Sequence, residues 1–153
     1  MKIIKNASKS YIEEMDIRQR VFSILEDIRK KGDEALVKYC KNLDGFTGNI
    51  RITANDIKKA YDSLDEQVVK DIKFAADRIK KFAEIQKKSI VEVKEEVSPG
   101  VTLGHRIIPV HSCGAYIPGG RYPLPSSALM SIIPAKVANV SRIVACSPPD
   151  SDV

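Results

Sequence analysis

The sequence predicts an α/β fold in which an N-terminal helical segment leads into the opening of a doubly wound sheet. Three observations carry this. Apolar residues recur at helical spacing through the first half of the chain, the pattern of helices that bury one stripe. Near residue 90 the period changes to alternation, with many β-branched residues, as in strands. A β-rich segment, a glycine loop, a helix and a short apolar strand then follow in that order, which is how parallel strands are joined. Such strands need helices on both faces. The helices for the second face are missing from the sequence, so the sheet is expected to be incomplete and the chain truncated.

Residues 1–15 show no clear period and are expected to form an arm. Asp16 is placed to cap a first helix, with Gln19 three residues on. Ile17, Val21, Ile24 and Ile28 form its stripe, and Gly32 suits its end. Residues 33–42 read as a second helix with Ala35, Leu36 and Tyr39 inward, closed by the turn signal Asp44-Gly45. Residues 48–52 are expected to be extended. Thr53 starts a third helix, with Asp56 completing a capping box. Ser63, with Glu66 three residues on, is expected to start a fourth over about 65–88, striped by Val68, Ile72, Ala75, Ile79 and Phe82.

Residues 90–97 alternate, Val91, Val93 and Val97 against charged neighbours. Ser98-Pro99-Gly100 is a turn, and residues 101–117 supply one or two strands. After a loop over 118–125, Ser126 is expected to cap a helix that runs to about Ala138. Pro134 inside it removes a backbone donor and should bend it near Met130. Asn139 suits a left-handed end. Residues 142–147 form a short strand that Pro148-Pro149 stops.

The chain has 153 residues, 43% apolar and 29% charged, enough for a domain with a core. It contains no apolar run long enough for a membrane span and no apolar stretch near its start suited to secretion, so the cytoplasm is the expected location. The net charge of +5 invites a nucleic-acid reading. However, the lysines come as spaced pairs (Lys30-Lys31, Lys58-Lys59, Lys80-Lys81, Lys87-Lys88) with Asp71, Asp77 and Glu84 among them. That is a solvated helix face rather than a concentrated basic surface with stacking aromatics; neither a nucleic-acid nor a membrane partner is expected. Cys40, Cys113 and Cys146 are odd in number and lack CxxC spacing, so free thiols are expected. His105 and His111 are six residues apart in an extended segment; at about 20 Å along a strand they are too far apart to share one metal ion.

The informative stretch is Gly114-Ala115-Tyr116-Ile117-Pro118-Gly119-Gly120, between a strand and a helix. Adjacent glycines let the backbone turn tightly and approach a ligand, and the following helix offers unpaired N–H groups and a partial positive charge to an anion. Tyr116 is suited to stack on a base or to form a pocket wall. The third glycine of the usual dinucleotide fingerprint is absent, so a plain strand-to-helix turn is an equal reading of these residues alone.

Residues 114–149, GAYIPGGRYPLPSSALMSIIPAKVANVSRIVACSPP, resemble the signature region of the histidinol dehydrogenase family: a Y-x-P-G-G loop, P-L and paired serines leading into a helix with an internal proline, and a strand ending C-S-P-P. Gly32-Asp33-Glu34-Ala35-Leu36 and Pro99-Gly100-Val101 are similar to further family segments in the same order. The resemblance implies an NAD-dependent, zinc-requiring homodimeric enzyme of histidine biosynthesis, which oxidises L-histidinol to L-histidine in two steps with two NAD+. It implies an incomplete Rossmann-like doubly wound sheet, with an arm over 1–15, a helical and β first lobe over 16–112 and the start of an NAD-binding domain over 113–153.

It further implies that Tyr116, Pro118, Gly119 and Gly120 line the cofactor site and that Ser126 and Ser127 lie near the substrate. The family's zinc ligands and catalytic residues lie downstream, so no catalytic residue and no metal ligand is assigned in this chain. Cys146 is expected to be a buried, inert thiol. Leu103-Gly104-His105-Arg106 and Gly119-Gly120-Arg121-Tyr122-Pro123 look closer to sulfopropanediol dehydrogenases of the same family, where Arg121 would pair a sulfonate in bidentate fashion. A solvent-facing arginine is the plainer alternative. A third possibility is a non-catalytic fragment acting as a binding or dimerisation module.

Overall fold

The computed structural model of the chain describes residues 11–119, 122 and 124–149. Two compact units divide at Arg51/Ile52. In the first, α1 (Tyr11–Lys31) packs on α2 (Asp33–Asp44). Helix α1 starts before Asp16, which therefore lies inside the helix and caps nothing. No glycine or proline interrupts residues 11–16, so nothing stops the helix across residues 11–15 of the expected arm; residues 1–10 lie outside the described part. Ala35 is the buried contact of α2, at 1% exposure, with Leu36 and Tyr39 half-buried beside it. The Tyr39 hydroxyl donates to Asp27 Oδ2 at 3.1 Å, and Lys31 Nζ lies 2.9 Å from Asp27 Oδ1. Lys31, and then the Tyr39 hydroxyl, hold the Asp27 carboxyl below the ordinary carboxylate range. Residues 48–52 make bends rather than a strand. Among the described residues they have no partner strand, and the Arg51 N–H turns back to Asn49 Oδ1 at 3.0 Å.

In the second unit, α3 (Ala54–Ser63) opens with the expected capping box: Thr53 Oγ1 accepts from the Asp56 N–H while the Asp56 carboxylate accepts from the Thr53 N–H. Helix α4 (Glu66–Lys88) is capped by Asp65, whose Oδ1 accepts from the Gln67 N–H at 2.7 Å. Ser63 does not start it. Its hydroxyl bonds the Ala60 carbonyl at 2.9 Å and belongs to the end of α3. The covered stripe of α4 is Val69, Ile72, Ala75, Ala76, Ile79 and Ala83. Val68 and Phe82, at the edges of the expected stripe, are exposed.

Strands β1 (Val93–Ser98) and β2 (Val101–His105) pair antiparallel around the expected turn, with a bulge between Glu96 and Ser98. Strands β3 (Ser112–Tyr116) and β4 (Arg142–Cys146) form a separate parallel pair. The helix between them, α5 (Pro125–Val137), packs on both and on α4. This β3–α5–β4 crossover is one repeat of a parallel α/β sheet, so the fold is the expected α/β class with an incomplete sheet.

Helix α5 starts at Pro125, not after a Ser126 cap: Leu124 is the cap residue and offers no side-chain bond. Proline's fixed φ and missing N–H suit the first helical position, which leaves Ser126 and Ser127 in the first turn. At the other end, Asn139 takes φ 65°, the Asn139 N–H bonds the Lys136 carbonyl and the Val140 N–H bonds the Ala135 carbonyl. Those two bonds make the Schellman ending that satisfies otherwise orphaned carbonyls. Among the described residues, no helix is long and apolar enough to cross a membrane.

Candidate functional site at the carboxyl ends of the parallel strands

Side chains alternate across a strand, and the β3–β4 pair shows which face α5 covers. Ala115 is buried at 5% exposure, and Cys113 and Ile143 are half-buried with it. The other face carries Gly114, Tyr116, Val144 and Cys146, all exposed. Cys146, expected to be buried, is an exposed free thiol, because the register sets it beside Tyr116 on the face that α5 does not cover. Tyr116 is 63% exposed, so its ring is open to a ligand or to another polypeptide surface.

Beyond the last pair the chains stay together. The Ile117 N–H donates to the Cys146 carbonyl at 2.8 Å, which carries the parallel ladder one step past β3. Pro118 and Gly119 follow, exposed, and run against the segment that leaves β4. A Cβ built on Gly119 would lie 3.2 Å from Ser147 Oγ and 3.4 Å from Pro148 Cδ. The loop therefore meets a second chain segment where a side chain would crowd. Sequence reasoning gave Ser147 and Pro148 no place in the site: they figured there only in the C-S-P-P run and, for Pro148, as a strand stop.

Ser126 and Ser127 stand in the first turn of α5, Ser126 exposed and Ser127 half-buried. The Ser127 N–H bonds the Leu124 carbonyl at 3.0 Å, and its carbonyl accepts from the Ser131 hydroxyl at 2.7 Å. Among the described residues, no hydrogen bond links either serine to Tyr116, Pro118 or Gly119. Gly120 and Arg121, the remaining expected site residues, lie outside the described part.

Among the described residues, neither histidine stands in a group able to hold a metal ion. His105 Nε2 lies 2.9 Å from the Val91 carbonyl on the hairpin, and the His111 carbonyl accepts from the Arg142 N–H at 3.1 Å. Among the described residues, no group of three or more His, Cys, Asp or Glu is arranged to hold a metal ion.

Two concavities lie away from the loop. A cavity of about 1020 Å³ between α4 and α5 is lined by Lys80, Lys81, Lys87, Lys88 and Lys136. An apolar groove of about 390 Å³ between α3 and α4 is lined by Ile57, Tyr61, Leu64 and Ile72.

Residues 7–153 match the model of the family described as histidinol dehydrogenase. The chain is 44% identical over 134 residues to a histidinol dehydrogenase homolog of Shouchella clausii, covering 87% of this chain and 32% of that protein. It is 40% identical over 147 residues to the sulfopropanediol 3-dehydrogenase of Ruegeria pomeroyi, covering 95% of this chain and 34% of that protein. The crystal structure of histidinol dehydrogenase from Elizabethkingia anophelis superposes with a TM-score of 0.78 at 30% identity, covering 97% of this chain and 33% of that one. The chain thus spans about a third of the length of the curated relatives it matches.

Proposed function

The chain belongs to the histidinol dehydrogenase family, and from that premise we propose that it supplies part of the cofactor site of an NAD-dependent, zinc-requiring dehydrogenase that converts L-histidinol to L-histidine. The carrying observation is the loop after β3, where an exposed Tyr116 precedes a Gly119 whose Cβ would sit tight against Ser147 and Pro148. In open α/β sheets, ligands bind outside the carboxyl ends of the strands, and this loop is at that end. NAD+, when bound, accepts the hydride. Tyr116 offers a ring face to the cofactor, and Gly119 lets the backbone approach it. The first turn of α5, with Ser126 and Ser127, directs the helix's positive end toward a negative group. In this reading the protein is cytoplasmic and homodimeric, and residues 113–153 open its NAD-binding domain.

Zinc does not fit the residues described, for want of a donor set. In this reading its ligands belong elsewhere in the active enzyme. A second reading shares the fold and the cofactor but takes a small sulfonated diol as substrate. The 40% identity to a sulfopropanediol 3-dehydrogenase favours it.

The test begins with NAD+ titration of the protein purified as its own gene product. Loss of a ring stacked on a base is expected to weaken binding about tenfold in Tyr116→Ala; unchanged affinity removes Tyr116 from the site. NADH formation is then followed with L-histidinol and with the sulfonated diol. Turnover of the diol alone selects the second reading. Failure to bind NAD+ at all leaves the non-catalytic module.

A further inference from the structure

Gly119 and Ser147 approach each other because β3 and β4 are parallel and in register, so both chains leave the sheet at the same end, side by side. The bond from the Ile117 N–H to the Cys146 carbonyl fixes the two exits relative to each other. Two residues farther along, the space above Gly119 Cα is bounded by Ser147 Oγ and Pro148 Cδ. Pro148 has a locked φ, so this segment yields little when pressed. A loop that must bring its backbone close to a ligand needs such a backing, since its own glycines provide none.

We propose that Ser147 and Pro148 are positioning residues for the cofactor loop: the exit of β4 is the floor on which Gly119 rests, and its height sets how closely the loop backbone approaches a dinucleotide. This rests on the NAD reading of the loop. The two residues act through Gly119 and need not touch the cofactor.

The test is second-site rescue, read as NAD+ affinity by calorimetric titration of the purified protein, with the thermal midpoint recorded alongside. In Gly119→Ala the new methyl meets Ser147 Oγ and lifts the loop, and NAD+ affinity is expected to fall about tenfold. Ser147→Gly removes the obstructing oxygen. The double variant Gly119→Ala/Ser147→Gly is expected to regain most of the loss, because the remaining Pro148 contact is nearly an ordinary van der Waals distance. Ser147→Val raises the floor from the other side and is expected to weaken NAD+ binding with Gly119 intact; it serves if Gly119→Ala does not fold.

Rescue of affinity without a matching rise in thermal midpoint supports positioning, since a merely structural role would move both together. A double variant no better than Gly119→Ala, or a Ser147→Val protein with unchanged affinity, overturns the proposal. If those results come with a weakened Tyr116→Ala variant, the NAD reading stands and only the floor is wrong. If Tyr116→Ala is also unchanged, the NAD reading falls with it.

Discussion

Enlarging Ala115 tests the two-faced character of the β3–β4 pair, on which the placement of the site depends. Ala115 is 5% exposed beneath α5, while Gly114, its neighbour, has no heavy atom within 4 Å of a built Cβ. In Ala115→Leu, each added carbon would gain about 0.8 kcal/mol if a space existed to bury it. No such space remains at this exposure, so α5 must lift. The helix is tied to α4 by Lys87 Nζ, which donates to the Val137 carbonyl at 2.7 Å. Overpacking therefore wins, at about 1–3 kcal/mol, and the thermal midpoint of a unit this size should fall by at least about 4 °C. Gly114→Ala should be neutral or stabilising by up to about 1 kcal/mol, through the unfolded chain. Thermal unfolding followed by circular dichroism compares the two. Equal destabilisation by both substitutions would refute the bare second face, and an undiminished midpoint in Ala115→Leu would refute the packing of α5 on it.

Three further outcomes follow from named contacts. Thr53→Ala removes the acceptor of the capping box on α3 and is expected to cost about 1 kcal/mol, read by urea denaturation; an unshifted midpoint would mean the box contributes nothing in solution. The Asp56 carboxyl lies below the ordinary carboxylate range, chiefly because the Thr53 hydroxyl and then the Thr53 N–H donate to it. A depressed folded value stabilises above the unfolded carboxylate value and is lost as pH falls through the folded one. Stability of the parent should thus drop more on acidification than that of Asp56→Asn, and parallel profiles would count against the assignment. Gly104→Ala drives a methyl into the Val93 carbonyl and the Lys94 backbone across the β1–β2 register, so amide exchange in the hairpin should accelerate; protection equal to the parent's would show that the strands can part and re-pair.

The elements that sequence revealed most faithfully are those decided by chemistry within a few residues. The Thr53–Asp56 box, the turn before Val101 and the left-handed Asn139 all stand where local pattern places them. The errors share a cause. Asp16, Ser63 and Ser126 each carry a side chain able to cap, yet the helix begins where the backbone first turns into it. That point is Asp65 ahead of α4 and the Leu124-Pro125 step for α5, while α1 is already helical at Tyr11. Residues 48–52 have strand-forming composition but no partner to pair with, and composition alone does not hold a strand. In the site, Tyr116, Pro118 and Gly119 were legible as a contiguous motif. The contact of Gly119 with Ser147 and Pro148 was not, since it exists only once β3 and β4 are parallel and in register.

Volume and charge alone would place an anionic ligand in the lysine-lined cavity between α4 and α5, and the chemistry of that cavity argues otherwise. Lys87 is already committed to the Val137 carbonyl, and Lys80 lies 3.8 Å from Glu84. Asp77 and Glu84 share the lining. The cavity also sits at the carboxyl end of α5, beside Val137 and Asn139, where the helix dipole is negative and cations, not phosphates, are stabilised. The lysines there complement that helix end. The amino end of the same helix has the opposite polarity, and no acidic residue in its first turn offsets it. It follows the loop that carries Tyr116 and Gly119. A negatively charged cofactor is therefore better served by the amino end of α5 than by the lysine-lined hollow at the opposite end of the helix.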